Sequence, residues 1–340
     1  MELNYYRQTV RPRFRFATSQ GGLDEQPVIT VELTHDGVTG LGEVLPWPLY
    51  GQSIESSEAA LEGMRDLLGD DPFAIHAILD RILVKHDGQR AAVSAVDSAL
   101  YDWVGKKLGA PVWRLLGLNR ARTLTTFTIG VAGPDEIRVK VKEALAAGYE
   151  ALKVKVGVEN DHDTLGFIRE HFDGTILMDA NQAWSAAEAP DKIRGLAKYR
   201  PTMIEQPLRR QDWRHFKELR DLGVAPIFAD ESCERPADVV RLLGLVDGIN
   251  IKFTKCGGIR EALRMVTLAR GLSMGVMFGC FVSSSLAIAP ALSIATLADY
   301  ADLDGSLLLA DDPYTGIANR GSLIELGDAP GLGVTAKHKP

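Results

Sequence analysis

Hydrophobic and polar positions along this chain change rhythm once. Near the N-terminus two β-rich runs, 28–33 and 38–44, flank His35-Asp36-Gly37, and Asp-Gly between such runs predicts a hairpin. Helical spacing follows over 56–68, 73–83 and 91–108. In the last of these Val93, Val96, Leu100, Trp103 and Val104 fall on one face, and Gly109 stops the helix. This first third reads as α+β. From about Thr123 a beat sets in. Short apolar runs at 125–129, 151–156, 175–179, 202–205, 226–230, 248–252, 275–280 and 300–304 alternate with amphipathic stretches such as 134–147, 213–222, 236–245 and 259–272. Strands alternating with helices mean βαβ units on a parallel sheet, and eight in a row predict an α/β barrel of the TIM type. After Gly316 no further βα unit is legible, and the tail is expected to fold back on the N-terminal domain.

Composition narrows the class without changing the fold. With 340 residues, 46% hydrophobic and 24% charged, the chain is an ordinary globular protein, which excludes disorder, collagen and coiled coil. Lys+Arg 38 against Asp+Glu 45 gives a net charge of -7 with no basic stripe, so nucleic acid is not an expected partner. Cys233, Cys256 and Cys280 lie 23 and 24 residues apart, the spacing of neither a disulfide scaffold nor a zinc site. The first residues carry charge and no apolar h-region, so no signal peptide is expected. Residues 271–298 hold no charge, but Pro290 and Ser283, Ser284 and Ser285 interrupt them, which predicts a strand and then a helix rather than a membrane span. The expectation is a cytoplasmic protein that meets a small molecule, no membrane, and is free to form a homo-oligomer.

Candidate chemistry sits at the strand ends, where barrels of this kind place their active sites. The second strand carries Lys153 and Lys155, the third ends on Asp179, the fourth on Glu205, the fifth on Asp230 and the sixth on Lys252. Successive steps from Lys155 are 24, 26, 25 and 22 residues. Three carboxylates from adjacent strands repel unless a cation holds them, and all-oxygen ligation selects Mg²⁺. A substrate carboxylate on that metal has its α-proton acidified, and the flanking lysines could remove it from one face and return it on the other. Such a base needs a lowered pKa, which Lys153 and the metal would supply to Lys155.

The set Lys153-x-Lys155, Asp179-Ala180-Asn181, Glu205-Gln206-Pro207, Asp230-Glu231-Ser232 and Lys252 with Lys255-Cys256-Gly257-Gly258-Ile259 resembles the enolase superfamily, and within it the muconate-lactonizing-enzyme subgroup. Gly40-Leu41-Gly42-Glu43 and Tyr50-Gly51-Gln52 look like its capping domain. The resemblance implies a modified (β/α)7β barrel over 123–315, an α+β capping domain over 1–122 and a C-terminal segment, 316–340, packed back on it. It also implies Mg²⁺ on Asp179, Glu205 and Asp230, with Lys155 and Lys252 as acid/base pair; Lys153, on the same strand face as Lys155, is a further candidate for substrate contact. The mandelate-racemase branch would want a rim histidine, and His35, His76, His86, His162, His171, His215 and His338 all miss the strand ends.

Asp302-Leu303-Asp304 on the eighth strand resembles the dipeptide epimerases' clamp on a substrate α-ammonium group. Two departures bear on specificity. Ser19 stands where the Ala-Glu epimerases place a capping-loop arginine, with Arg15 the nearest substitute, and Ser283 stands where relatives commonly carry glutamate. The expected function is 1,1-proton transfer at the α-carbon of a dipeptide's C-terminal residue, through an enediolate, with weak preference for Ala-Glu. The alternative within the subgroup is an N-succinylamino-acid racemase, o-succinylbenzoate synthase or muconate cycloisomerase. Outside it stand a Schiff-base aldolase on Lys155 or Lys252 and a barrel that only binds peptides.

Overall fold

The computed structural model describes residues 1–337; His338 lies outside them. Its N-terminal sheet has Gln26–His35 at the centre, flanked antiparallel by Glu2–Val10 and Val38–Val44. His35 pairs with Val38 across Asp36-Gly37, whose φ values of 46° and 71° make the two-residue hairpin that Asp-Gly favours. Glu2–Val10 was not legible as a strand, because only Leu3 and Val10 of it are buried and its apolar alternation is broken.

Three helices, Ile54–Met64, Ile75–His86 and Arg90–Leu108, cover this sheet. The longest lies directly on Val38–Val44, and two glycines make that possible. A Cβ at Gly40 would stand 2.0 Å from the Ala99 carbonyl oxygen, and one at Gly42 2.0 Å from that of Ala95. The helix is buried from Arg90 to Gly105, sandwiched between the sheet and the barrel rather than lying on a surface. It therefore fixes how the capping domain sits above the rim.

Eight parallel strands follow: Phe127–Ile129, Ala151–Lys155, Thr175–Asp179, Met203–Glu205, Ile227–Ala229, Gly248–Ile251, Gly275–Gly279 and Tyr300–Asp302. Each stops at or just short of its expected end. Among the described residues seven carry a helix behind them, from Pro134–Ala146 to Ser285–Ser293, and the eighth does not. Thr126 donates its backbone N–H to the Ala301 oxygen at 3.1 Å, bringing the first and last strands together and nearly closing the barrel. The fifth helix, Pro236–Arg241, is shorter than its pattern because Gly244 takes a left-handed turn (φ 76°). The uncharged stretch resolves into a strand and a helix with Pro290 inside. No helix among the described residues is long and apolar enough to cross a membrane.

The hairpin Ile317–Arg320 and Leu323–Leu326 pairs with Arg122–Leu124. Beyond it, Leu332 donates its backbone N–H to Asp102 Oδ1 at 2.7 Å, on the long capping helix.

Candidate active site

Parallel register turns the sequence spacing into a common height. Lys155 lies opposite Asp179, and Asp179 opposite Glu205, in adjacent strands. Asp230 and Lys252 each follow their strand by one residue. Asp179, Glu205 and Asp230 each offer a carboxylate oxygen within 4.8 Å of the others, and all three are buried.

Ammonium groups surround this cluster. Lys155 Nζ donates to Asp179 Oδ2 at 2.6 Å, and Lys252 Nζ to Asp230 Oδ2 at 2.7 Å. Lys153 Nζ reaches three acids, Asp302 Oδ2 at 2.8 Å, Glu205 Oε2 at 2.9 Å and Asp179 Oδ2 at 3.1 Å. Lys255 Nζ donates to the Asp230 backbone oxygen at 2.6 Å and also contacts its carboxylate. Burial works against every charge here, so the neighbours decide each pKa. Lys155 and Lys153 overcome burial and hold Asp179 down at about 2. Lys252 and Lys255 do the same for Asp230, which stays well below the usual carboxylate range. Burial, reinforced by Asp179, lifts Glu205 to about 7, and burial with Asp230 lifts Glu231 to about 8. Lys252 departs from the lowered pKa wanted of a base: burial pushes it down, but Asp230, Glu205 and Glu231 together outweigh burial and raise it.

The donor set fits a hard divalent cation. It is all carboxylate oxygen, with no thiol or imidazole in it. Glu205 Oε2 is buried and accepts no aligned hydrogen bond, the Lys153 ammonium lying out of line with it. Beside the triad, Asn181 Oδ1 and Glu231 Oε2 are likewise buried without a hydrogen-bond partner.

Above the cluster opens a cavity of about 1330 Å³, large enough for a ligand of several residues' size. Lys155, Asp230, Lys252, Asp302 and Asp304 all line it. Asp302 accepts from Lys153 and from Thr126 Oγ1 at 2.7 Å, and Asp304 Oδ2 accepts the Thr128 backbone N–H at 2.7 Å. Burial and the neighbouring Asp302 raise Asp304 to about 7, whereas Lys153 and Lys155 overcome burial to keep Asp302 low.

Four candidates lie elsewhere than a substrate contact requires. Lys153 is fully buried beneath the cavity floor, held there by its three acids. Ser19 turns its hydroxyl back to the barrel, donating to the Ala180 oxygen at 2.9 Å. Arg15 is exposed, its Nε 3.9 Å from Asp24, and does not line the cavity. Ser283 donates to the Phe281 oxygen at 3.0 Å and borders a small separate cavity beside Glu43. In their place the capping side contributes Phe16, Leu23, Trp47 and Tyr50, and the barrel contributes Phe281 and Glu231. Glu231, one residue past Asp230, also opens onto the cavity. The aromatic residues carried no signal, because a lone phenylalanine in a loop reads as core. Among the described residues no histidine lines the cavity.

A nearly closed barrel with three rim carboxylates under a capping domain defines a class, and the sequence comparisons agree. Residues 136–339 match the family described as "Enolase C-terminal domain-like", and residues 3–117 match the "Mandelate racemase / muconate lactonizing enzyme, N-terminal domain". The chain belongs to the enolase superfamily. It is an isomerase of the racemase and epimerase kind, and Asp179, Glu205 and Asp230 are its Mg²⁺ triad. It is similar to an L-Ala-D/L-Glu epimerase of Bacteroides thetaiotaomicron, 40% identical over 98% of this chain and 88% of that protein. It is also similar to a hydrophobic dipeptide epimerase of Roseobacter litoralis, 34% identical over 99% of this chain and 100% of that one. Among solved structures, a dipeptide epimerase from Enterococcus faecalis, complexed with Mg and L-Leu-L-Tyr, matches with a TM-score of 0.93. It is 32% identical, over 98% of this chain and 99% of that one.

Proposed function

We propose that this chain epimerises dipeptides at the α-carbon of the C-terminal residue by two-base proton transfer, with Lys155 and Lys252 on opposite faces of the substrate. The observation that carries this reading is the pair of ammonium groups at the two ends of one carboxylate cluster. Lys155 is on Asp179, Lys252 is on Asp230, and both open into the same cavity. Asp179, Glu205 and Asp230 would hold Mg²⁺, which would supply positive charge to the substrate carboxylate as the α-proton leaves. In each direction one lysine, unprotonated, takes the α-proton at Nζ, and the other, protonated, delivers one to the opposite face. Lys153 stays buried and protonated, balancing Asp179, Glu205 and Asp302.

Asp302 and Asp304 would hold the dipeptide's free ammonium group, and of the two Asp304 has the charge to spare. Asp302 is already matched by Lys153, whereas Asp304 is hydrogen-bonded by Thr128, which brings no charge. An N-acylated amino acid brings no ammonium to this place, which favours a dipeptide over the N-succinyl substrates of related racemases. The capping side of the cavity is apolar at Phe16, Leu23 and Trp47, and Arg7 on its wall is paired to Glu58. Together with Ser19 and Arg15 turned away, this supports neutral side chains over glutamate at the second residue.

The test is a set of free-amine dipeptides and N-succinylamino acids incubated in D₂O with Mg²⁺, followed by NMR. Deuterium should enter the C-terminal α-position of the dipeptides alone. Exchange confined to the N-succinyl compounds would overturn the reading.

A further inference from the structure

We infer that Phe281 is a positioning residue for Lys252 and not for Lys155, so that it governs one of the two proton transfers; this rests on the two-lysine reading above. The Lys252 ammonium lies 4.5 Å from the centre of the Phe281 ring. That is well inside the ~6 Å over which an aromatic face attracts a cation. The ring beside Lys155 is Phe16, and at 6.0 Å it stands at the limit. Each lysine has a carboxylate partner, so the close aromatic face is the feature that separates them.

Phe281 is itself held from three sides. Trp47, from the capping domain, stacks on its ring at 4.7 Å and 28°. Ser283 donates its hydroxyl to the Phe281 backbone oxygen at 3.0 Å. Gly305 allows the closest approach, since a Cβ there would stand 2.1 Å from that same oxygen. The π-face accepts no strong hydrogen bond, so a lysine head resting on it turns its donors toward Asp230 and the cavity. Lysine has a flexible four-carbon stem, and the ring removes freedom that the stem would otherwise keep. Ser283 thus acts outside the cavity, through the Phe281 backbone, and Trp47 ties the capping domain to the orientation of Lys252.

Deuterium exchange measured separately on the two epimers of one dipeptide reads this directly. The proton abstracted by Lys252 comes from one epimer and the proton abstracted by Lys155 from the other. In Phe281→Leu, exchange of the epimer facing Lys252 should fall about tenfold, the loss of a desolvated cation–π contact. Phe281 also lines the cavity, so a loss common to both epimers is a substrate effect; relative to the other epimer, exchange on the Lys252 face should still fall about tenfold. Phe281→Tyr, which keeps the face, should restore the wild-type ratio. If Phe281→Leu does not fold, Phe281→Met offers similar volume without a ring and carries the same comparison. Equal losses on both epimers, no loss on either, or a Tyr variant as impaired as the Leu variant would overturn the inference with the two-lysine reading intact. A wild-type enzyme that exchanges neither epimer of any dipeptide would overturn both.

Discussion

The barrel rim and the capping loops face each other across one cavity, yet they are held by different physics. On the rim, backbone ladders set each functional residue. Lys155, Asp179 and Glu205 are opposite one another in consecutive parallel strands, so their side chains share a height and a face. On the capping side the hairpin Phe16–Thr18 and Gly21–Leu23 belongs to neither large sheet. It meets the barrel through single contacts, such as the Val131 N–H on the Ala17 oxygen and the Ser19 hydroxyl on the Ala180 oxygen. A ladder fixes positions collectively, whereas isolated contacts leave each residue free to vary. On the proposed reading, reaction chemistry belongs to the rim and choice of substrate to the loops.

If that division holds, the largest effects come from the rim's metal. Chelation with EDTA should abolish turnover and Mg²⁺ should restore it. Glu205→Gln should lower activity by about three orders of magnitude or more while circular dichroism stays unchanged. Full activity in chelator would break the division at its strongest point.

A smaller effect is expected at the clamp, where rim and substrate meet. Charge-assisted hydrogen bonds contribute about 1.5–3 kcal/mol each, so Asp304→Asn should lower kcat/KM about ten- to a hundredfold on a free-amine dipeptide. An N-acetylated dipeptide should show little change. The pH dependence has a definite sign. Asp304, raised to about 7, gains charge as pH rises from about 6 to 7 while the substrate ammonium stays protonated, so KM for the free-amine dipeptide should fall over that window. The N-acetylated compound should show no such trend.

The loops should tell in a matched Ala-x series. With Arg7 occupied by Glu58 and Arg15 outside the cavity, kcat/KM for Ala-Glu should lie about tenfold below that for Ala-Leu. Ala-Glu as the best substrate by a wide margin would mean that Arg15 or Arg7 swings in.

The seam between the two regions should show the smallest effect. Glu43, on the capping sheet, accepts hydrogen bonds from the Ser284 backbone N–H and hydroxyl at the start of a barrel helix. Burial lifts its carboxyl from 4.5 to about 7. Between those values the fold retains a proton that the unfolded chain has released, so stability falls as pH rises through that window. Glu43→Gln removes this dependence and should raise Tm by about 2–4 °C at pH 8, with little change at pH 5.

The same contrast explains what could be read from the sequence. The eight-strand beat and the lysine–acid series were legible because parallel register converts a period of about 25 residues into a ring of strand ends. Asp302 and Asp304 were legible as a pair, although the strand stops at Asp302 and Asp304 lies beyond it. Ser19, Arg15 and Ser283 lie in loops, where no ladder converts position into direction. Ser19 and Ser283 found backbone oxygens instead of the cavity, as short hydroxyl side chains do when a carbonyl is near. The stacking of Phe281 on Trp47 is not legible in the sequence, because an aromatic contact between distant loops leaves no periodic trace.

The central claim is that two lysines serve opposite faces of one substrate, and the most direct measurement is α-proton exchange in Lys155→Ala and Lys252→Ala. Each epimer of one dipeptide is incubated in D₂O with each variant, and α-deuterium is followed by NMR. Both variants should lose epimerisation. Lys155→Ala should still exchange one epimer and Lys252→Ala the other. Exchange of the same epimer by both variants would mean that a single base acts, and would contradict the account.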